Sequence, residues 1–183
     1  AFSHCKDVVA QVSKAGGMGV LGAVGMTPEM LENDLKWIDE NVNGMPYGVD
    51  VLIPNKFEGK GEGLNPEDWA NMIPQEYRDF RADVLNKYKL DGESIREQTT
   101  QKSGFGKNLG EDGAQKLLDV AFSHPIKLIA NALGVPPKWM LEMGKKNNVP
   151  VAALVGAKEH AIRQVQAGVD LLVVSGTEGG GHV

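Results

Sequence analysis

The sequence of 183 residues contains a single cysteine, Cys5, and therefore cannot form an internal disulfide bond. No apolar run reaches the roughly 20 residues that a membrane-spanning helix needs, and no segment has the layout of a signal peptide. Lysine and arginine form no cluster dense enough to follow a nucleic-acid backbone, and the net charge is −5. These absences argue against membrane and nucleic-acid partners and make the cytoplasm the expected compartment.

Two common kinds of catalytic site are also missing. The 4 histidines do not combine with cysteine or carboxylates at metal-ligand spacing, so we expect no metal site. No serine lies in a Gly-x-Ser-x-Gly sequence, which argues against a hydrolase triad. The composition, with 42% hydrophobic and 23% charged residues, is that of an ordinary globular domain with a sizeable core.

The sequence does contain an alternation of helical and strand-like segments. Residues 5–54 read as helix, strand, helix, strand, and residues 126–176 read as strand, helix, strand, helix, strand. The strand segments are short, continuous apolar runs, which are typical of strands buried on both faces of a parallel sheet. Parallel neighbours need a crossover that is most often a helix, so the sequence predicts an α/β fold with five parallel strands.

The alternation is interrupted between residues 55 and 123. Two polar, glycine-rich stretches, 58–72 and 99–113, accompany a segment with helical spacing at 66–90. We interpret 55–123 as an insertion of helices and loops within a single, incomplete domain that spans residues 1–183. Such insertions commonly rise from the carboxyl edge of the sheet, where ligands bind, so both a lid and a solvated helical decoration remain open.

The segment Gly17–Gly22 has the spacing G-x-G-x-x-G of a dinucleotide-binding loop. Such a loop follows a strand and opens a helix, so that the pyrophosphate meets the helix N-terminus. Here the glycines follow a helix and enter a strand. We therefore interpret them as a helix stop and a point of close packing.

The glycine-rich end of the sequence, SGTEGGGH, is the strongest candidate for chemistry. Ser175 ends the last predicted strand, and Gly179, Gly180 and Gly181 let the backbone turn and bring amide groups against a ligand. His182 follows, and its ordinary pKa near 6.5 suits proton transfer at neutral pH. A phosphate or a flavin edge suits such a turn; the alternative is a surface loop with an exposed histidine.

Asp50 lies in the middle of the predicted strand YGVDVLIP. A carboxylate at such a position is costly to bury without a partner. It therefore either points into a polar site or pairs with a cation, and the sequence favours neither alternative.

The stretches VSKAGGMGVLGAVGMTPEML, PYGVDVLIP and AGVDLLVVSGTEGGGH together resemble the nitronate monooxygenase family, also called 2-nitropropane dioxygenases. Members of that family are FMN-dependent TIM-barrel enzymes, related to the flavin-type enoyl-ACP reductases. The resemblance implies a partial (β/α)8 barrel, because a complete one has eight strands and typically about 250 residues. It also implies that the sequence is a fragment, which starts in the first helix and ends at the sixth strand.

The resemblance assigns roles to individual residues. His182 falls on the catalytic histidine of the family, and Gly180 and Gly181 fall on the Gly-Gly pair that approaches FMN. Asp50 falls where the family often has a flavin-contacting Asn, and Ser175 falls on a flavin-contacting Gln. Because both differ from the family pattern, we expect Asp50 to place a negative charge near the flavin and Ser175 to need a bridging water.

The implied activity is the oxidation of alkyl nitronates by molecular oxygen, with FMN as the electron carrier. His182 is then either the base that takes the α-proton of a neutral nitroalkane or a hydrogen-bond donor to an anionic nitro group. Two other functions stay open: an enoyl-thioester or quinone reductase that uses NAD(P)H, and a barrel that binds a phosphorylated ligand without redox chemistry. A fragment without activity of its own is also possible, and the sequence indicates no oligomeric state.

Overall fold

The computed structural model describes residues 5–54, 72–91 and 108–179. The strands in these ranges are β1 (Gly19–Gly22), β2 (Tyr47–Val51), β3 (Leu128–Asn131), β4 (Val151–Val155) and β5 (Leu171–Val174). The helices are α1 (Lys6–Lys14), α2 (Pro28–Asn41), α3 (Gln75–Lys87), α4 (Glu111–Ser123), α5 (Lys138–Asn147) and α6 (Lys158–Ala167).

The five strands form one sheet in the order β1-β2-β3-β4-β5, and every neighbouring pair is parallel. Each strand therefore lies beside the next strand of the sequence. A (β/α)8 barrel has this order, whereas a doubly wound sheet reverses its direction at a switch point. The predicted α/β class, with parallel strands arranged as part of a (β/α)8 barrel, is confirmed.

Helix α2 shows how local sequence positions an element. The Thr27 side chain accepts a hydrogen bond from the Met30 backbone N–H at 3.2 Å, and Pro28 occupies the first turn, where its missing N–H costs nothing. Leu31, Leu35 and Ile38 then recur at helical spacing and are completely buried. Burying each of these side chains in the hydrophobic core contributes about 1.5–3 kcal/mol, which holds the helix in place.

Helix α4 changes the interpretation of the predicted insertion at 55–123. Its residues Ala114, Leu117, Leu118 and Ala121 are buried, and the helix packs against α2 and β2. It is therefore the crossover helix between β2 and β3 and belongs to the α/β framework. Helix α3, in contrast, has no buried residue. The insertion is thus better placed before α4, while the division of the chain into domains stays a prediction.

The glycines between α1 and β1 act as the sequence indicated. Gly16 has φ of +90° just after the helix, which suits a helix stop. A Cβ on Gly19 would collide with the backbone of Val9, so strand and helix approach closely at this point. The interpretation as a helix stop with close packing is confirmed.

Candidate functional site

Asp50 belongs to a row of residues that crosses the whole sheet. Gly22 pairs with Asp50, Asp50 pairs with Ala130, Ala130 pairs with Ala152, and Ala152 pairs with Leu171. Residues paired in this way on parallel strands share one face of the sheet. The residues in register with Asp50 on either side are therefore a glycine and an alanine.

The face on which Asp50 lies follows from its neighbours on β2. Val49 and Val51 belong to the hydrophobic core that the helices cover. Successive side chains of a strand point to opposite faces, so Asp50 lies on the face away from that core. In a (β/α)8 arrangement the face away from the helices is the interior of the barrel.

The Asp50 side chain is buried, and one of its two oxygens has no hydrogen-bond partner. It is 5% exposed, and its Oδ1 atom has no hydrogen-bond partner. No lysine, arginine or histidine side chain among the described residues forms an ion pair with it. The role of Asp50 in a polar site stays a prediction.

Burial raises the pKa of the Asp50 carboxyl from 3.8 to about 7. The charged form is disfavoured because the surroundings solvate it poorly. This direction opposes the expectation of a negative charge near the flavin at this position, which stays a prediction.

The glycine-rich turn after β5 is built in part by described residues. Ser175 extends the pairing of β5, since its N–H donates to the Val155 carbonyl at 2.9 Å. The Gly179 N–H donates to the Gly176 carbonyl at 3.0 Å and closes a turn, and a Cβ on Gly179 would collide with the Ser175 hydroxyl. The structure thus brings Ser175 and Gly179 together. Strands β3 and β4 lie between the strand that leads to this turn and β2, which carries Asp50.

Three of the predicted site residues, Gly180, Gly181 and His182, lie outside the described residues. Their proposed contacts with FMN and substrate therefore stay predictions. Among the residues that the structure describes, no group of histidine, cysteine and carboxylate side chains could hold a metal ion. The described helices also include none with the length and apolar character of a membrane span.

Sequence reasoning missed Asn131, the last residue of β3. Its side chain is completely buried, and its Oδ1 accepts a hydrogen bond from the Ile53 N–H at 2.8 Å. Its Nδ2 donates to the carbonyls of Ile53, Leu133 and Gly134 at 3.1–3.2 Å. One amide thus connects the loop after β2 to the loop after β3 at the carboxyl edge of the sheet. The sequence feature that could have identified Asn131 is its position as a polar residue inside the apolar stretch IKLIANALG.

A second buried amide, Asn108, holds the loop after β1. Its Nδ2 donates to the carbonyls of Val24 and Met26 at 2.8 and 2.7 Å. Gln164 on α6 adds a bond from its Nε2 to the Gly134 carbonyl at 3.0 Å. The loops after β1, β2 and β3 at the carboxyl edge of the sheet are therefore held by side-chain hydrogen bonds.

His124 joins two helices and a strand at the opposite, amino-terminal edge of the sheet. Its Nδ1 lies 2.6 Å from Asp39 Oδ2, and its Nε2 lies 3.1 Å from Glu32 Oε2. The Tyr47 hydroxyl donates to Asp39 at 2.6 Å. Burial alone would lower the pKa of His124, but the bonds to Asp39 and Glu32 raise it overall. The sequence suggested only that this histidine ends a helix.

A family model described as nitronate monooxygenase matches residues 4–183. Rv1533 of Mycobacterium tuberculosis, which is named only as a monooxygenase, is 48% identical over 183 residues, covering 100% of this chain and 48% of that protein. A Staphylococcus saprophyticus protein named as a nitronate monooxygenase is 24% identical over 185 residues, covering 100% of this chain and 45% of that protein.

Solved structures give the same fold. The nitroalkane oxidase of Streptomyces ansochromogenes matches with a TM-score of 0.71 at 22% sequence identity, over 100% of this chain and 47% of that one. FabK from Thermotoga maritima matches with a TM-score of 0.61 at 18% identity, over 100% of this chain and 40% of that one. The chain thus spans about half the length of the relatives that it matches.

Proposed function

The chain belongs to the nitronate monooxygenase family, and from this premise we propose that the protein containing it is a flavin-dependent oxidoreductase. We further propose FMN as the cofactor, alkyl nitronates as the substrates and molecular oxygen as the oxidant. The observation that carries the proposal is the match of the family model to residues 4–183, which includes nearly the whole chain.

Features of the described residues fit a flavin. A planar ring needs a surface without large side chains. The row Gly22, Ala130 and Ala152 consists of small residues on the face away from the helices. A ring edge needs polar partners, and the buried Oδ1 of Asp50 is unpartnered. The turn that the Gly179 N–H closes onto the Gly176 carbonyl would bring backbone close to a ligand.

When bound, the flavin would supply the electron transfer from substrate to oxygen. The residues of the chain would bind and orient it. Asp50 would contact the ring edge, and Ser175, Gly180 and Gly181 would approach it from the turn after β5. Asn108 and Asn131 would keep the neighbouring loops in place, because they fasten the backbone after β1, β2 and β3.

His182 is proposed as the residue that acts on the substrate. If it is the base for a neutral nitroalkane, it must be unprotonated, and activity on nitroalkanes rises as the pH increases through its pKa. If it donates a hydrogen bond to an anionic nitro group, it must be protonated, and activity on preformed nitronates falls over the same range.

These alternatives can be tested with the full-length protein loaded with FMN. Oxygen consumption would be measured against pH with a nitroalkane and with its preformed nitronate, for the wild type and for His182→Asn. General acid–base catalysis contributes typically about 10²–10⁴-fold, so we expect a loss in this range for the nitroalkane if His182 is the base. Flat pH profiles with both substrates, together with an unaffected His182→Asn variant, would remove His182 from the mechanism.

A further inference from the structure

We propose that Asp50 binds the flavin as a neutral carboxylic acid, which donates its proton to an acceptor atom on the edge of the ring system. This inference rests on the proposed function, since it takes a flavin as the ligand. It differs from the expectation of a negative charge at this position, because the hydrogen bond runs from the protein to the ring.

The surroundings of Asp50 offer little to stabilise an ionised carboxylate. The strands on either side, Gly19–Gly22 and Leu128–Asn131, contain no titratable residue. The residues in register with Asp50 are Gly22 and Ala130, which have no polar side chain. A buried charge without a partner is costly, and a carboxyl group in such a place takes up a proton instead.

The protonation of Asp50 is consistent with this environment. Burial raises the pKa of the carboxyl to about 7. A bound ring covers the carboxyl further and removes remaining water, which raises the pKa again. The acid form thus becomes the prevailing form in the complex near neutral pH.

The chemistry of the ligand matches a donor at this place. The pyrimidine edge of a flavin carries carbonyl oxygens and ring nitrogens that accept hydrogen bonds. A protonated carboxyl has one O–H donor, whereas the ionised form only accepts. Asp50 in its acid form therefore offers the kind of bond that an amide side chain offers, and it loses this capacity on ionisation.

The inference predicts that FMN affinity depends on pH through Asp50. Above the pKa, the donor form declines tenfold for each pH unit, so the dissociation constant rises by up to about tenfold per unit. Asp50→Asn retains an N–H donor at all pH values and should bind FMN without this loss. Asp50→Leu has no donor and should bind weakly throughout. Asp112→Asn, at an exposed position of α4, is the matched control and should follow the wild type.

The test is a titration of the full-length apoprotein with FMN, followed by quenching of flavin fluorescence between about pH 6.5 and about pH 8.5. The ratio of the wild-type and Asp50→Asn dissociation constants cancels the titration of the FMN phosphate, and circular dichroism checks the fold of each variant. Infrared difference spectra on FMN binding should show a protonated carboxyl band in the wild type that is absent from Asp50→Asn.

The possible results separate this inference from the proposed function. A ratio that changes with pH, together with the carboxyl band, supports the neutral donor. A constant ratio, or a wild type that binds more tightly as the pH rises, overturns it while leaving a flavoprotein. Proteins that are folded but bind no FMN at any pH contradict the proposed function itself, and with it the donor role.

Discussion

At the scale of single residues, Asp50 shows which properties of a side chain can be predicted from the sequence and which depend on the folded structure. The sequence predicted that a carboxyl inside YGVDVLIP needs a partner or a site, and in the structure its Oδ1 atom is buried without a hydrogen-bond partner. The sequence did not predict that the pKa of this carboxyl is raised. The cause is burial, and the neighbours Gly22 and Ala130 reach Asp50 only through the register of three strands.

Replacing Asp50 with Asn should stabilise the ligand-free protein as the pH rises. The folded-state pKa of Asp50, about 7, is above the ordinary value of 3.8. The folded state therefore binds more protons between these values, and stability falls as the pH increases through this window. Asp50→Asn removes this dependence, which is at most about 1.4 kcal/mol per pH unit.

Urea unfolding of the ligand-free wild type and of Asp50→Asn at several pH values between about 4 and about 8 measures this difference. The free energy of unfolding of Asp50→Asn should exceed that of the wild type by an amount that grows toward pH 8. A difference in unfolding free energy that stays constant over the range would show that Asp50 keeps an ordinary pKa in the folded protein.

At the scale of elements, the helices and strands predicted from the sequence agree with the structure where apolar residues recur at clear spacing. They differ where a glycine-rich stretch overlaps the apolar pattern. The five strands and helix α2 followed from apolar patterns and from the cap at Thr27. Helix α4 was assigned to the insertion, because a glycine-rich stretch precedes it and extends to Gly113. The buried apolar side chains of α4 became evident only from the packing of this helix against α2.

The network of His124 should make stability depend on pH near neutrality. The groups that face this histidine are Glu32 and Asp39 of α2, with the Tyr47 hydroxyl bonded to Asp39. Both imidazole nitrogens meet carboxylates, so the protonated ring makes both bonds. Its folded-state pKa is above the ordinary 6.5, so the stabilisation is complete below 6.5 and is lost as the pH rises through the folded-state value.

His124→Gln should therefore unfold more easily at low pH, and its disadvantage should shrink as the pH rises. Losing the partner of a buried polar group costs about 1–3 kcal/mol, which is the effect we expect near pH 6. Thermal unfolding against pH gives the measurement, with His160→Gln on the exposed side of α6 as the control. A His124→Gln profile that runs parallel to the wild type would exclude the protonated ring as the source of stability.

Asn131 should be needed to hold the loops after β2 and β3 at the carboxyl edge of the sheet. Asn131→Asp has almost the same size and still accepts from the Ile53 N–H, but it turns a carboxylate toward the carbonyls of Ile53, Leu133 and Gly134. We expect a loss of about 1–3 kcal/mol in stability, because buried carbonyls lose their donor, and weaker retention of FMN.

Denaturant unfolding and FMN release during gel filtration would check the effect of Asn131→Asp. Asn86→Asp on the exposed helix α3 makes the same chemical change outside the loops, and should leave both measurements near wild-type values. Equal behaviour of the two variants would mean that Asn131 does not position the loops.

At the scale of the whole molecule, the order and register of the strands determine which residues lie beside Asp50. The row from Gly22 to Leu171 crosses all five strands, and Asp50 provides its polar group. At the last strand, Val174 is 75% exposed and Leu171 is 49% exposed, so burial decreases toward β5. The sequence predicted the parallel sheet and the turn that follows it, but only the register places Asp50 on the face away from the helices.

The most direct test of the central claim is to mix the FMN-loaded, full-length protein with an alkyl nitronate in the absence of oxygen and to record the visible flavin absorption. A flavin oxidoreductase that acts on nitronates should lose this absorption on mixing and regain it when oxygen is admitted, and NADPH should leave it unchanged. Absorption that is unaffected by the nitronate but is bleached by NAD(P)H would contradict the account and would identify a reductase on the same fold.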